Sequence, residues 1–257
     1  AFTASGLNWR YLTIEVAPEN LGEAMQGLRA FGMRGINLTI PHKVAVMEYL
    51  EEIAPEARVI GAVNTVRTDN GRLIGENTDG KGFLRGVQVD AGFSPQGKRI
   101  VLLGAGGAAR AIATELILAG VSRLLVVNRD KTRGESMVSD LKARTGGPLD
   151  FEQWHGTFRV PKETDLLVNA TSIGLYPNIE ATPDVDLAEL RPGTLVSDAV
   201  FNPPETGLLR MARSQGLPVL DGLSMLVYQG AVAFKMWTGH EAPEEVMKKA
   251  LRDALGV

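Results

Sequence analysis

Residues 100–111 read "IVLLGAGGAARA". Four apolar residues run into a glycine-rich turn, and a pattern of small and apolar residues, "IATELILAGV", follows from Ala111. The spacing predicts a strand over Ile100–Leu103, a tight turn, and a long helix. The turn itself is G-x-G-G-x-A, a variant of the dinucleotide-binding fingerprint. Gly104 allows the tight turn, Gly106 lets the backbone approach a pyrophosphate, and Ala109 stands where a small residue permits close packing of helix on sheet. The helix N-terminus supplies N–H groups and positive dipole for phosphates. Gly104, Ala105, Gly106, Gly107 and Ala108 are therefore candidate cofactor-binding residues. A glycine turn also joins strand to helix for packing alone, but the strand before it and the helix after it favour the nucleotide.

Downstream, "RLLVVNRD" (123–130) reads as a second strand and "KTRGESMVSDLKART" (131–145) as its helix. "TDLLVNAT" (164–171) and "GTLVSDAV" (193–200) are further apolar strands. Near-continuous apolar strands separated by helices predict a parallel sheet covered on both faces. The end of the second strand discriminates between nucleotides. An NAD enzyme usually offers an acidic residue there for the ribose hydroxyls. This chain offers Asn128 and Arg129, then Arg133 one turn into the next helix, and two guanidiniums suit a 2′-phosphate. The alternative is that both arginines merely solvate a loop. Asp130, between them, would repel a phosphate.

Upstream, "FSPQGKR" (93–99) is polar and carries Pro and Gly, which marks a domain junction. Before it lie a strand "WRYLTIEV" (9–16), an amphipathic helix (18–32) stopped by Gly32, a strand "RGINLTI" (34–40) and a helix "KVAVMEYLEEIA" (43–54). A hairpin over 62–77 turns at Asn70-Gly71, and a helix occupies 79–92. The C-terminal segments 224–239 and 243–257 read as two helices with no strand between them. The fold class is α/β.

Composition narrows the function. Of 257 residues, 44% are hydrophobic and 22% charged, as in a soluble globular protein. The net charge of −3 gives no basic excess for nucleic acid. There is no cysteine, which excludes disulfides and thiolate metal sites and fits a reducing, cytoplasmic compartment. The three histidines do not lie at metal-ligand spacing. No apolar run reaches the length of a membrane span, and no leader pattern is present.

Short polar groups interrupt the apolar patterns at Thr39 and Lys43, Asn64-Thr65, Asn77-Thr78-Asp79 and Gln229. Taken singly, Asp79 reads as a helix N-cap, Asn64 and Asn77 as turn residues, and Gln229 as a core amide. Together they resemble the lining of a site for a polyhydroxylated acid. Lys43 and Asp79 form the pair with acid–base chemistry in it. His42 is the rival, because its ordinary titration lies nearer neutrality. Consecutive residues at a helix start point different ways, and the pattern does not say which one faces a cleft.

At this point the chain resembles the shikimate dehydrogenase family. The matching segments are "NLTIPHK" (37–43), "GAVNT" (61–65), "NTDG" (77–80), "GAGGAARA" (104–111), "NR" (128–129) with Arg133, "NATSIG" (169–174), "DGLSMLVYQGA" (221–231) and "WTG" (237–239). The resemblance implies two α/β domains: a substrate-binding, catalytic domain of residues 1–96 plus 224–257, and a Rossmann-like NADP domain of residues 97–223. It implies reversible reduction of 3-dehydroshikimate to shikimate by NADPH, in a monomer or homodimer. Lys43 resembles the catalytic lysine and Asp79 its partner. Thr39, Asn64 and Gln229 match substrate-holding positions. Thr171, Ser172, Gly222 and Met225 match the lining near the nicotinamide.

Two departures bear on activity. The family opens with a strand and a Ser-x-Ser segment that holds the substrate carboxylate, and "AF" resembles the residues just after it. A chain that starts at Ala1 is expected to bind substrate much more weakly. The family often has Tyr before "NPxxT", where this chain has Phe201, so one substrate contact is expected to be absent. The alternatives are a quinate/shikimate dehydrogenase using NAD, and an NADP-binding sensor or impaired truncated form.

Overall fold

A computed structural model describes residues 1–256. In chain order the elements are α1 (Leu21–Ala30), β1 (Gly35–Asn37), α2 (His42–Ala45), β2 (Glu52–Ile53), α3 (Pro55–Ile60), β3 (Thr65–Asp69), β4 (Arg72–Glu76) and α4 (Asp79–Val89). There follow β5 (Arg99–Leu103), α5 (Gly107–Leu118), β6 (Arg123–Asn128), α6 (Lys131–Thr145), β7 (Leu149–Gln153), β8 (Phe158–Arg159), β9 (Leu166–Asn169), β10 (Val185–Asp186) and β11 (Leu195–Asp198). The chain closes with α7 (Gly207–Ser214), β12 (Val219–Leu220), α8 (Gly222–Thr238) and α9 (Glu244–Leu255).

The second half is a six-stranded parallel sheet in the order β12-β11-β9-β5-β6-β7. Its middle strands are buried along their length, as both faces are covered. Ile100, Leu102, Ile112 and Leu116 pack on one face, and Val101, Leu103, Leu208 and Leu209 on the other. The chain leaves β5 towards β6 and returns to β9 on the other side, so the topological switch point lies at the carboxyl end of β5.

The first half is a four-stranded mixed sheet, β1-β3-β4-β2. Its core is Leu21, Met25, Leu28, Val46, Val66 and Leu73. The hairpin β3–β4 turns at Asn70 and Gly71, both with positive φ. α4 joins the two halves: it packs on α5 and α8, and its Phe83 and Val87 belong to the core of the parallel sheet. α8 returns to the first half, against α4 and β3, and α9 packs on α8.

Two expectations fail locally. Residues 9–16 form no strand. The segment makes side-chain bonds, Tyr11 Oη to Asn37 Oδ1 among them, and enters no ladder, leaving Leu12 at 66% and Ile14 at 63% exposure. The helix expected over 43–54 ends earlier, in a 3₁₀ turn at Val46–Tyr49. Glu52 and Ile53 pair instead with β4, which satisfies their backbone at the sheet edge.

Candidate active site

Lys43 lies in the first turn of α2, just after Pro41. Val63 N–H donates to the Lys43 carbonyl at 2.7 Å, which ties this turn to the strand behind it. The Lys43 ammonium donates to Asp79 Oδ2 at 2.7 Å. Asn64 Nδ2 donates to Asp79 Oδ1 at 2.8 Å, so both carboxylate oxygens are held. Asp79 is not a helix N-cap: Thr78 occupies that position, and the Asp79 side chain is free for Lys43. His42 turns away, with Nε2 2.8 Å from the Val16 carbonyl, which only accepts. The geometry therefore separates the two titratable neighbours and gives Lys43 the carboxylate.

Beneath the pair lies a connected set of small polar groups. Asn64 Oδ1 accepts from Thr78 N–H at 2.8 Å and from Thr65 Oγ1 at 3.0 Å. Thr78 Oγ1 donates to Gln229 Oε1 at 3.3 Å, which brings α8 to the site. Asn77 Oδ1 accepts from Asp79 N–H, and its Nδ2 donates to the Ala62 carbonyl. Asn64, Thr65, Asn77 and Thr78 are all buried, so their polar groups need the partners they find here. Asn37 and Tyr11 extend the set outward. A cavity of about 350 Å³ opens beside Tyr11, Asn37 and Gln229, backed by Phe234 and Trp237. Thr39 does not join this set: it is exposed, and its side chain makes no hydrogen bond among the described residues.

The parallel sheet presents the glycine turn at its switch point. Gly104 has φ +108°, and a Cβ there would lie 3.0 Å from the Ala170 carbonyl and 3.1 Å from Thr171, so only glycine fits. Gly107 and Ala108 are exposed and open the helix; Gly106 at the N-cap has no side chain to satisfy the first N–H groups. Arg133 Nε donates to the Ala105 carbonyl at 2.9 Å, which lays its guanidinium over the turn. Asp130, expected to repel a phosphate, caps α6 by accepting from Arg133 N–H. Neither Arg129 nor Arg133 has a carboxylate partner among the described residues, and Asn128 donates to the Asp130 carbonyl. An uncapped helix start beside two unpaired guanidiniums fits a phosphorylated dinucleotide.

Thr171 is held by Asn169, whose Oδ1 accepts from both its N–H and its hydroxyl. Ser172 is exposed beside it. Gly222 begins α8 against the Val200 carbonyl, where a Cβ would lie at 2.3 Å. Met225 packs against the core of the parallel sheet and, through its carbonyl, against Gly82 of α4. Gly80, next to Asp79, packs on the Ala111 carbonyl, four residues past Gly107. The Lys43–Asp79 pair and the glycine turn thus lie at opposite ends of one short, glycine-lined contact.

Sequence reasoning passed over a support of this site. Asp198, 1% exposed, accepts from Asn169 Nδ2 at 2.9 Å, Val200 N–H at 3.0 Å and Thr206 Oγ1 at 2.7 Å. Burial pushes its carboxyl above the ordinary range, against the pull of the hydrogen bonds. The signal was an aspartate closing an otherwise apolar strand, "TLVSDAV".

A doubly wound parallel sheet with a glycine turn at its switch point, facing a lysine–aspartate pair on a second α/β unit, is the architecture of a two-unit, dinucleotide-dependent oxidoreductase. Family models match in three stretches: the shikimate dehydrogenase substrate binding domain over 1–66, shikimate / quinate 5-dehydrogenase over 89–176, and the shikimate 5′-dehydrogenase C-terminal domain over 222–252. Shikimate dehydrogenase (NADP(+)) of Moorella thermoacetica is 46% identical, over 100% of this chain and 87% of its own. Among solved structures, the ligand-free 5-ketofructose reductase of Gluconobacter sp. strain CHM43 is 44% identical with a TM-score of 0.93, covering 98% of this chain and 90% of that one. Shikimate 5-dehydrogenase from Thermus thermophilus, in complex with NADP(H) and shikimate, is 36% identical with a TM-score of 0.85, over 99% and 92%. The chain belongs to the shikimate dehydrogenase family.

Proposed function

We propose that the protein interconverts 3-dehydroshikimate and shikimate with NADP(H). The observation that carries the reading is the Lys43–Asp79 ion pair, both of its carboxylate oxygens engaged, set among buried amides and hydroxyls. Lys43 is the group that gives a proton to the substrate oxygen as the ring carbonyl is reduced, and takes it back in the reverse direction. Asp79 holds the Lys43 side chain in line, and Asn64 holds Asp79. Asn64 and Gln229, with Thr39 at the rim, bind the substrate's hydroxyls. NADP(H), when bound, supplies the hydride chemistry. The N–H groups opening α5, with Gly104–Ala108, hold its pyrophosphate, while Arg129 and Arg133, beside Asn128, hold the 2′-phosphate that distinguishes NADP from NAD. Thr171, Ser172, Gly222 and Met225 line the nicotinamide end.

On this reading residues 1–96 with 224–257 form the substrate domain and residues 97–223 the nucleotide domain, supported by the packing of α8 on α4 and β3 and of α9 on α8. The enzyme is cytoplasmic, acts on a small molecule as a monomer or homodimer, and has no nucleic-acid partner. No helix among the described residues is long and apolar enough to cross a membrane.

The test is the appearance of NADPH at near-ultraviolet wavelengths when shikimate and NADP+ are mixed with the protein. NADPH oxidation by 5-ketofructose is followed in parallel, because a similar structure carries that name. Shikimate-dependent turnover with NADP+ preferred over NAD+ is expected. Turnover of 5-ketofructose alone would replace the substrate assignment.

A further inference from the structure

Two arginines of the parallel-sheet half reach across to the end of α3. Arg110, on α5, donates through Nη2 to the Val59 carbonyl at 3.0 Å. Arg144, on α6, donates through Nη1 to the Arg58 carbonyl at 2.9 Å. Both guanidiniums share Asp140: Arg110 Nη2 pairs with its Oδ2, and Arg144 Nε donates to its Oδ1 at 2.6 Å. Cations at the carbonyl end of a helix satisfy acceptors that the helix leaves open. This three-residue bridge therefore seats α3 of one half against two helices of the other.

What lies at the two ends of the bridge gives it meaning. α3 ends at Gly61, with φ +73°, and the next three residues carry the substrate wall. The Ala62 carbonyl accepts from Asn77, Val63 N–H donates to the Lys43 carbonyl, and Asn64 holds Asp79. A shift of α3 thus moves Lys43, Asn64 and Asp79 together. At the other end, Arg110 stands on the first turn of α5, three residues beyond Gly107. Arg110 Nε is buried with no acceptor among the described residues. A buried donor left unpaired costs stability, so packing alone does not account for a guanidinium here.

We propose that Arg110 is a positioning residue. With Asp140 and Arg144 it couples nucleotide at the glycine turn to the placement of the Lys43–Asn64 wall, so that bound cofactor tightens substrate binding. The proposal rests on the function inferred above. Its test is calorimetric titration of shikimate into the protein, with and without saturating NADPH, a pair of reduced ligands that does not react. In the wild type, NADPH is expected to tighten shikimate at least about 5-fold, a common size for coupling between sites. In Arg110→Met the factor falls towards 1, while the affinity for NADPH alone changes less than about twofold. Arg144→Met, at a half-exposed position, gives a smaller fall in the same direction and serves should Arg110→Met not fold.

A coupling factor unchanged in Arg144→Met and in any folded Arg110→Met overturns the proposal, as does a wild-type factor of 1. Shikimate binding with no effect of the variants sinks the bridge alone. No shikimate binding to the wild type sinks the functional reading with it.

Discussion

Asp79, opening α4, and Asp198, closing β11, are two carboxylates, one in each half of the molecule. Each accepts hydrogen bonds on both oxygens. Asp79 receives Lys43 and the Asn64 amide, and its side chain remains 19% exposed. Asp198 receives an amide, a backbone N–H and a hydroxyl, all neutral, and is closed off from solvent. One carboxylate is paired with a group that can carry a proton and has a way out. The other braces Asn169, hence Thr171 and the strand end beside the glycine turn. The same side chain becomes chemistry or scaffold according to the charge and access of its partners.

The largest effect is expected on the Asp79 side. On the proposed function, Lys43→Ala removes the proton carrier and is expected to lower kcat by about 1,000-fold, within the usual range for acid–base groups, with NADP+ affinity changed less than about twofold. His42→Ala, which loses only a bond to the Val16 carbonyl, should keep most of its turnover. Steady-state rates of NADPH formation decide it. Equal losses in the two variants, with both folded, would move the chemistry to His42.

Next in size is the scaffold carboxylate. Asp198→Ala leaves the buried Val200 N–H and Thr206 hydroxyl without an acceptor, leaves the Asn169 amide only the Ile173 carbonyl, and should cost about 3 kcal/mol of stability. For a chain of this length that is a fall of roughly 6–10 °C in the thermal midpoint. At temperatures where the variant is folded, kcat/KM should fall far less than in Lys43→Ala. A variant that keeps its midpoint but loses turnover would make Asp198 part of the reaction, and the contrast would collapse.

Asp79→Asn follows. The amide keeps the shape, but its charge no longer orients Lys43, and kcat is expected to fall about 10- to 100-fold with little change in midpoint. This separates holding a lysine from holding a loop.

The contrast between the two aspartates also marks what was legible in the sequence. The parallel sheet was, because strands buried on both faces read as apolar runs with no ambiguity of face: Ile100–Leu103 and Leu124–Val127 are buried throughout. α6 was legible to the residue, since Asp130 caps it and Gly146 ends it with positive φ. The segment at 9–16 was misread because alternation states which face a strand buries, not whether a partner exists. β2 was hidden inside a helical pattern because its pairing with β4 is a tertiary event. Lys43, Asn64, Asp79 and Gln229 were visible as polar breaks in apolar patterns, while the choice of Lys43 over His42 came from the family resemblance, because the local pattern does not state the direction of the chain after Pro41. Thr39 shared their pattern and did not join them. Asp198 passed unnoticed because a buried polar residue inside an apolar strand gives no sign of its donors, which come from 29 and 8 residues away.

The smallest effect isolates the electrical side of the contrast. Burial raises the Asp198 carboxyl in the folded state, so the folded chain holds that proton to higher pH than the unfolded chain does. Below about pH 3.9, the ordinary aspartate value, the residue is protonated in both states and costs nothing electrically. As the pH rises above that, the unfolded chain ionises first, and stability is lost until the folded carboxyl ionises too; beyond that point the loss is constant. Each unit by which burial lifts the group corresponds to about 1.4 kcal/mol. Asp198→Asn cannot ionise. It carries a fixed penalty for one mismatched hydrogen bond, but no slope from this site. Carboxylates held low by partners, such as Asp90 with Lys248, Ser224 and Tyr228, act in the opposite sense and are common to both proteins. The difference between wild type and Asp198→Asn removes them. Urea midpoints measured from about pH 4 to 8 should therefore show the wild type losing stability relative to the variant as the pH rises. A flat difference would mean that the Asn169, Val200 and Thr206 donors offset burial in full, and that Asp198 is ionised at no cost. The two aspartates would then differ in what they hold and in their access to the cleft, with no difference in the cost of their charge.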